Sequence, residues 1–385
     1  MRLNTVLRSI GYGALALATL EMAARIDDYV GDRVPILEPY TINRLFRPSP
    51  YGREGVPGAR FGKWQMNSLG YRSPEIRDGR ARVITFGASE TFGLYESAGH
   101  EYPRLLAQRL DELQPRGFDV VNIAIPGMRI GRIGYLERAI EQTQARHVVV
   151  YPSPANYIGT TQPFCRQPSS PVASPNGLGE NVRLLGKVEQ QSKRLIPLGV
   201  QTRLRSLSIW WSTRNEVTQA RVPEATLLAM KEDLICVART AQQRGAIPIL
   251  VTHATYFGNT IEPGDEALLL AWRRFYPDLR EEGFLDLEQR ANDVIRAVAA
   301  QLDAPIVDAA QIIPRGKVHF ADFVHFTDEG ARMMGQQIAS AIATCGSASA
   351  ADTQIAATSQ SDACVHIDSQ DAPASLPKSV QRSPG

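Results

Sequence analysis

Two short segments, far apart in the chain, carry side chains suited to acyl chemistry. Residues 82–91, Arg-Val-Ile-Thr-Phe-Gly-Ala-Ser-Glu-Thr, are an apolar run ending in a Gly-x-Ser turn. Residues 321–330, Ala-Asp-Phe-Val-His-Phe-Thr-Asp-Glu-Gly, set Asp322 three residues before His325. A serine hydroxyl is a weak nucleophile until a base takes its proton. A histidine base in turn needs a partner on its other ring nitrogen to fix the tautomer. Ser89, His325 and Asp322 together supply that set. Each segment also has an ordinary reading: Ser89 would serve as a helix N-cap, and a lone Asp-x-x-His is commonly surface decoration.

Acyl transfer further needs hydrogen-bond donors where the oxyanion develops. Gly127, in Asn-Ile-Ala-Ile-Pro-Gly, has no side chain to keep a ligand from its N–H, and the Asn156 amide, in Tyr-Pro-Ser-Pro-Ala-Asn, is a second donor. Alone, a turn glycine and a loop asparagine are routine. Among the remaining histidines, His253 follows an apolar run and is a candidate for lining the pocket, whereas His147 begins one and reads as structural. His319 has no acid three residues before it, and His319, Asp322 and His325 lack a compact ligand spacing, so no metal or other cofactor is expected.

The elements that must position these residues form a regular series from Arg82 onward. Apolar runs at 83–86, 120–125, 147–151, 247–252 and 306–307 alternate with helical patterns at 101–113, 127–144, 224–243, 286–301 and 328–343. Short continuous apolar runs between helices predict an α/β fold, a five-stranded parallel sheet covered on both faces as a three-layer sandwich. In such a sheet ligands bind beyond the carboxyl ends of the strands, and Ser89, Gly127, Asn156 and the Asp322–His325 loop all follow strands. Thr327 is the expected cap of the last helix.

The 385 residues are 43% hydrophobic and 21% charged with a net charge of +2, a globular composition that implies no general affinity for nucleic acid. Arg2 and Arg8 precede an apolar stretch over residues 9–24, which predicts a signal anchor at 1–24 with the rest of the chain outside the cytoplasm. Its uninterrupted run is shorter than the ~20 residues that span comfortably, so a cleaved signal peptide and an amphipathic helix stay open. Residues 25–80 read as an irregular connector with a short hairpin over 61–71, and the main domain occupies 81–344. An insertion at 160–222 reads either as a lid or as a surface excursion, and a polar tail at 345–385 is expected to be disordered. Cys165, Cys236, Cys345 and Cys364 are most simply four unrelated thiols, with a Cys345–Cys364 bridge as the alternative.

The order Ser89, Gly127, Asn156, then Asp322 with His325, resembles the SGNH (GDSL-type) hydrolase superfamily over about residues 82–344. Asn-Ser-Leu-Gly-Tyr-Arg at 67–72 and the leader ending Leu-Glu-Met-Ala-Ala-Arg resemble its membrane-anchored bacterial members. The resemblance implies a flavodoxin-like three-layer α/β/α sandwich, Ser89 as nucleophile, His325 as base and Asp322 as its orienter. It also implies an oxyanion hole from the N–H groups of Ser89 and Gly127 with the Asn156 amide. Two positions depart from the family pattern: Ala88 replaces the usual Asp of Gly-Asp-Ser, and Pro154 replaces the usual Gly of Gly-x-Asn-Asp. The expected activity is hydrolysis of a small-molecule or glycan ester through a seryl intermediate in the cell envelope. Acyl transfer to or deacetylation of an envelope glycan is one alternative, and a catalytically silent binding module is the other.

Overall fold

The computed structural model describes residues 3–115, 117–167, 182–188, 211, 219–258, 265–276 and 279–352. The insertion at 160–222 and the polar tail fall largely outside these residues.

The chain enters through a 30-residue helix, α1 (Leu3–Asp32). Ile10, Leu15, Leu17 and Leu20 stand exposed on it, and charged Glu21, Arg25, Asp27 and Asp28 follow within the same helix. Among the described residues no helix is long and apolar enough to cross a membrane, in contrast to the transmembrane helix expected here. The charges that shorten its apolar run are instead used against protein. Glu21 accepts the N–H groups of Arg183 (3.1 Å) and Leu184 (2.8 Å), capping the helical turn at 183–188. The buried Arg183 guanidinium donates to the carbonyls of Arg25, Pro35 and Glu38. Lys187 meets Asp27 at 2.6 Å and Asp28 at 2.8 Å.

The connector is more ordered than its sequence suggests. It forms two antiparallel hairpins, β1 (Phe46–Ser49) with β2 (Gly52–Gly55) and β3 (Arg60–Phe61) with β4 (Trp64–Gln65). The second begins the expected hairpin region. The first went unread because Pro48 and the flanking glycines break its alternation. Leu45, Phe46, Phe61, Met66 and Tyr71 sink into the main core, which is why the segment folds without a sheet of its own. Gly55 and Gly70 let two backbones touch: a Cβ on Gly55 would stand 2.0 Å from the Gly70 carbonyl oxygen.

The main sheet has five parallel strands in the order β6-β5-β7-β8-β9. They are β5 (Ala81–Gly87), β6 (Phe118–Asn122), β7 (His147–Tyr151), β8 (Ile247–Val251) and the two-residue β9 (Ile306–Val307). The helices between them are α2 (Ser89–Phe92), α3 (Tyr102–Leu113), α4 (Ile133–Thr143), α5 (Glu224–Gln243), α6 (Glu266–Phe275), α7 (Glu281–Gln301), α8 (Ala309–Ile312) and α9 (Asp328–Asp352). Alternation along the strands divides the core. Val83, Val149 and Ile249 face α3 and α9, where Leu106, Leu110, Ile338 and Ile342 meet them. Ile84, Val148 and Leu250 face Leu136, Leu234, Leu287 and Ile295 of α4, α5 and α7. Each such aliphatic side chain contributes about 1.5–3 kcal/mol on burial. The result is the expected flavodoxin-like three-layer α/β/α sandwich.

Three details differ from the sequence reading. Helix α6 lies where no element was expected. Helix α9 continues to Asp352, into the segment assigned to the disordered tail. Cys165 and Cys236 form a disulfide across 71 positions, so the cysteines are not four unrelated thiols. Their spacing hid the pair because the insertion separates them. Cys364 lies outside the described residues.

Candidate active site

Strand β5 delivers Ser89 to the carboxyl edge of the sheet through a turn that only glycine permits. A Cβ on Gly87 would lie 2.2 Å from Thr91 Oγ1 and 2.6 Å from the Tyr151 carbonyl oxygen. The chain then enters α2 with Ala88, fully buried, in the N-cap place and Ser89 as the first helical residue. Ser89 is therefore not a capping serine. Its half-buried hydroxyl donates to Glu90 Oε2 at 3.1 Å. As the first residue of the helix, its N–H has no intrahelical acceptor.

Helix α2 is held from its far end by the connector. Arg72 donates to the Gly93 carbonyl (2.8 Å) and to Glu101 (3.1 Å), and its N–H donates to the Asn122 carbonyl at 3.0 Å. Asn122, at the end of β6, donates its amide to the Thr91 carbonyl at 2.8 Å.

His325 and Asp322 sit in the loop between β9 and α9. The Asp322 carboxylate closes that loop on itself. Oδ1 accepts the N–H groups of Val324 (2.9 Å) and His325 (2.8 Å), while Oδ2 lies 2.8 Å from His325 Nδ1. His325 Nε2 is buried and has no hydrogen-bond partner among the described residues. Burial alone would raise the Asp322 carboxyl, but the His325 ring and the two N–H groups outweigh it and hold it below its ordinary value. Burial would likewise depress His325, but Asp322, helped by Glu90 and Glu96, raises it above its ordinary value. Thr327 accepts the Gly330 N–H at 3.3 Å, the cap that the sequence suggested. The Tyr95 ring stands 4.8 Å from the His325 ring, so the segment after α2 lies against the histidine.

Gly127 and Asn156 are brought together. Gly127 has φ +74°, a left-handed conformation, and open space where a Cβ would project. Asn156 Nδ2 donates to the Met128 carbonyl at 3.0 Å, and Arg129 Nε donates to the Asn156 carbonyl at 2.7 Å. Pro154 opens the short 3₁₀ turn Pro154–Tyr157, where a missing N–H is harmless because that position has no partner to lose.

Sequence reasoning missed a buried charged chain directly beneath Ser89. Glu90 Oε1 lies 3.3 Å from His253 Nε2, and His253 Nδ1 lies 2.6 Å from Glu288 Oε2. Asn292 completes the enclosure: it accepts the His253 N–H at 2.6 Å and donates to the His253 carbonyl at 2.9 Å. Burial opposes charge on both partners, yet each holds the other ionised: Glu90 falls below the carboxylate range and His253 rises well above the usual histidine value. His253 thus has both nitrogens engaged and does not line an open pocket. The available signal was Glu288 and Asn292, four residues apart on the face of α7 that also buries Phe284, Leu287 and Ile295. His147 is buried at the start of β7, and burial with Arg146 lowers it to about 4, which fits its structural reading.

This arrangement defines a doubly wound α/β sheet with a serine, an acid-bound histidine and a glycine–asparagine turn at one edge. Among solved structures the chain is similar to a G-D-S-L family lipolytic protein from Desulfitobacterium hafniense, at 11% identity over 68% of this chain and 99% of that one, with a TM-score of 0.39. It is also similar to a GDSL-like lipase from Bacteroides thetaiotaomicron, at 14% identity over 70% and 90% of the two chains, with a TM-score of 0.39. A lipase/acylhydrolase from Enterococcus faecalis matches at 15% identity over 68% and 95%, with a TM-score of 0.38. No family model and no curated protein matches the sequence. The chemistry is therefore read from the residues themselves.

Proposed function

We propose that the chain is a serine ester hydrolase with Ser89 as nucleophile, His325 as general base and Asp322 as the group that orients it. The observation that carries this reading is the state of His325: Nδ1 is fixed by Asp322, and Nε2 is buried with no hydrogen-bond partner among the described residues. In the first step Ser89 turns its hydroxyl from Glu90 toward His325 Nε2. The proton passes to the imidazole as Oγ attacks the ester carbonyl. The N–H groups of Ser89 and Gly127, with the Asn156 amide released from the Met128 carbonyl, receive the oxyanion. The imidazolium protonates the departing alcohol, and water activated by the same histidine then frees the acid. Phosphonate labelling with peptide mapping tests the assignment. Label on Ser89 that is lost in His325→Gln is expected, and an unreactive Ser89 in folded protein would sink it.

One observation favours a second reading, a catalytically silent module. The Ser89 hydroxyl and the Asn156 amide are both engaged by protein acceptors rather than turned toward a substrate. The same labelling experiment separates the two readings.

For location we propose the cell envelope outside the cytoplasm. The disulfide suits an oxidising compartment, and the exposed apolar residues of α1 suit a membrane surface. Protease accessibility in intact and lysed cells decides it: digestion only after the cytoplasmic membrane is breached would count against this placement.

A further inference from the structure

The turn that carries Gly127 is ringed by arginines. Arg129 uses Nε on the Asn156 carbonyl and lays its guanidinium 4.3 Å over the Phe164 ring, which fixes its direction. Arg132 donates to the Arg53 carbonyl at 3.3 Å and packs its guanidinium against Gly52, where a Cβ would stand 3.0 Å from Cζ. Arg53 in turn donates to the Pro126 carbonyl at 3.3 Å, one residue before Gly127. All three are partly solvent-accessible.

Among the described residues, neither Arg129 nor Arg132 forms an ion pair with a carboxylate. The acid packed against this turn is Asp233, which lies against Gly131. It is committed elsewhere, accepting from the Tyr157 hydroxyl (2.8 Å) and the Cys165 N–H (2.8 Å), and burial raises its carboxyl. The guanidiniums also act on one another. Burial depresses Arg53 and Arg132, and Arg132 adds to the first as Arg129 does to the second. Like charges gathered around one turn are unfavourable unless an anion joins them. Arg129, with its Nε and flat face fixed, still presents its paired Nη donors, the geometry that suits a carboxylate or phosphate, and Arg132, with one Nη on the Arg53 carbonyl, adds its other Nη.

We propose that Arg129 and Arg132 form an anion-recognition subsite beside the Gly127–Asn156 turn, and that the ester substrate carries a negatively charged carboxylate or phosphate group close to its scissile bond. This rests on the hydrolase reading above. It makes the two arginines specificity-determining residues: the anion anchors to them while the ester carbonyl lies over the oxyanion turn.

The test compares 4-nitrophenyl hemisuccinate with 4-nitrophenyl butyrate, esters of similar length that differ by a carboxylate. The ratio of their kcat/KM values is expected to fall about tenfold in Arg129→Gln and in Arg132→Gln, the size of one lost charge-assisted hydrogen bond. Arg129→Lys should restore part of it, and Arg146→Gln, which removes an exposed positive charge away from the turn, should leave the ratio unchanged. Competition by inorganic phosphate against the butyrate ester reports the phosphate arm: phosphate that inhibits more strongly than succinate assigns the site to phosphate-bearing esters, and the reverse assigns it to carboxylates. A ratio that stays at the wild-type value in both glutamine variants, or falls equally in Arg146→Gln, overturns the subsite while leaving a labelled Ser89 and the hydrolase reading intact. Should Ser89 resist labelling, calorimetric titration with succinate and phosphate judges the arginines alone. Binding lost in Arg129→Gln sustains the subsite, and no binding to the unaltered protein refutes it.

Discussion

His325 and His253 stand at the same edge of the same sheet, each hydrogen-bonded to an acid, and their surroundings make them opposites. His325 has one acid on Nδ1 and, among the described residues, no partner on Nε2. His253 has an acid on each nitrogen and is almost wholly removed from solvent. A histidine with one free nitrogen can move a proton. One clamped between two carboxylates has no acceptor left and is held as a cation. The acid partner alone thus does not mark a base; the unoccupied nitrogen does. The two are also linked, since Glu90 touches Ser89 and His253 directly and raises His325 through its charge.

Substitutions that exchange these two behaviours test the contrast. The largest effect is expected at His325: His325→Gln should cut kcat/KM for a simple ester by about three to four orders of magnitude while the melting temperature stays near that of the parent. A comparable loss of stability would make His325 another structural histidine. At His253 the expectation reverses. His253→Gln strands Glu90 and Glu288 without their cation and should cost roughly 3–5 kcal/mol in denaturant unfolding. An unchanged midpoint would show that the buried chain is not charged.

Glu96 gives the next effect. Burial pushes its carboxyl up to about 7, against the counter-pull of Arg72, His325 and Lys63. A carboxyl raised in the folded state favours folding at low pH. That contribution is lost as pH climbs from the unfolded value near 4.5 through about 7. Unfolding measured across this window should lose up to roughly 3 kcal/mol, and Glu96→Gln should flatten the slope. The smallest effect concerns the rate profile. Because His325 is raised and must be neutral to act, kcat/KM should rise with pH through a midpoint above the ordinary 6.5. Glu90→Gln should move that midpoint down by less than about one unit. A midpoint that does not move would remove the electrostatic link between the two histidines.

What the sequence made legible follows from where the signal is local. The strand runs at 83–86 and 147–151 are uninterrupted and apolar, and even the two residues of β9 were identifiable because Pro305 and a preceding helix frame them. The Asp322–His325 pair is three residues long in its geometry, so its loop was readable too. Glu90, His253 and Glu288 were not, because their contacts join α2, the end of β8 and α7, and no spacing in the chain encodes that meeting. The first hairpin was lost for a related reason: Phe46 and Leu45 gain their meaning only by packing on a core that begins forty residues later. The disulfide was lost because a long insertion lies between its halves.

Arg72 carries one more consequence, for where the molecule can be divided. The repeating sheet pattern starts at Arg82, and a reader of the sequence would cut the chain there. Yet Arg72 grips both ends of the segment after Ser89 and bonds to the end of β6, while Leu45, Phe46 and Met66 fill the shared core. A fragment beginning at Arg82 would keep the main sheet, short of Ala81, and every proposed catalytic side chain, and still expose that core to water. The smallest autonomous unit therefore includes Leu45 and the connector after it, and grafting the serine turn onto another sheet would require carrying its distant brace along with it.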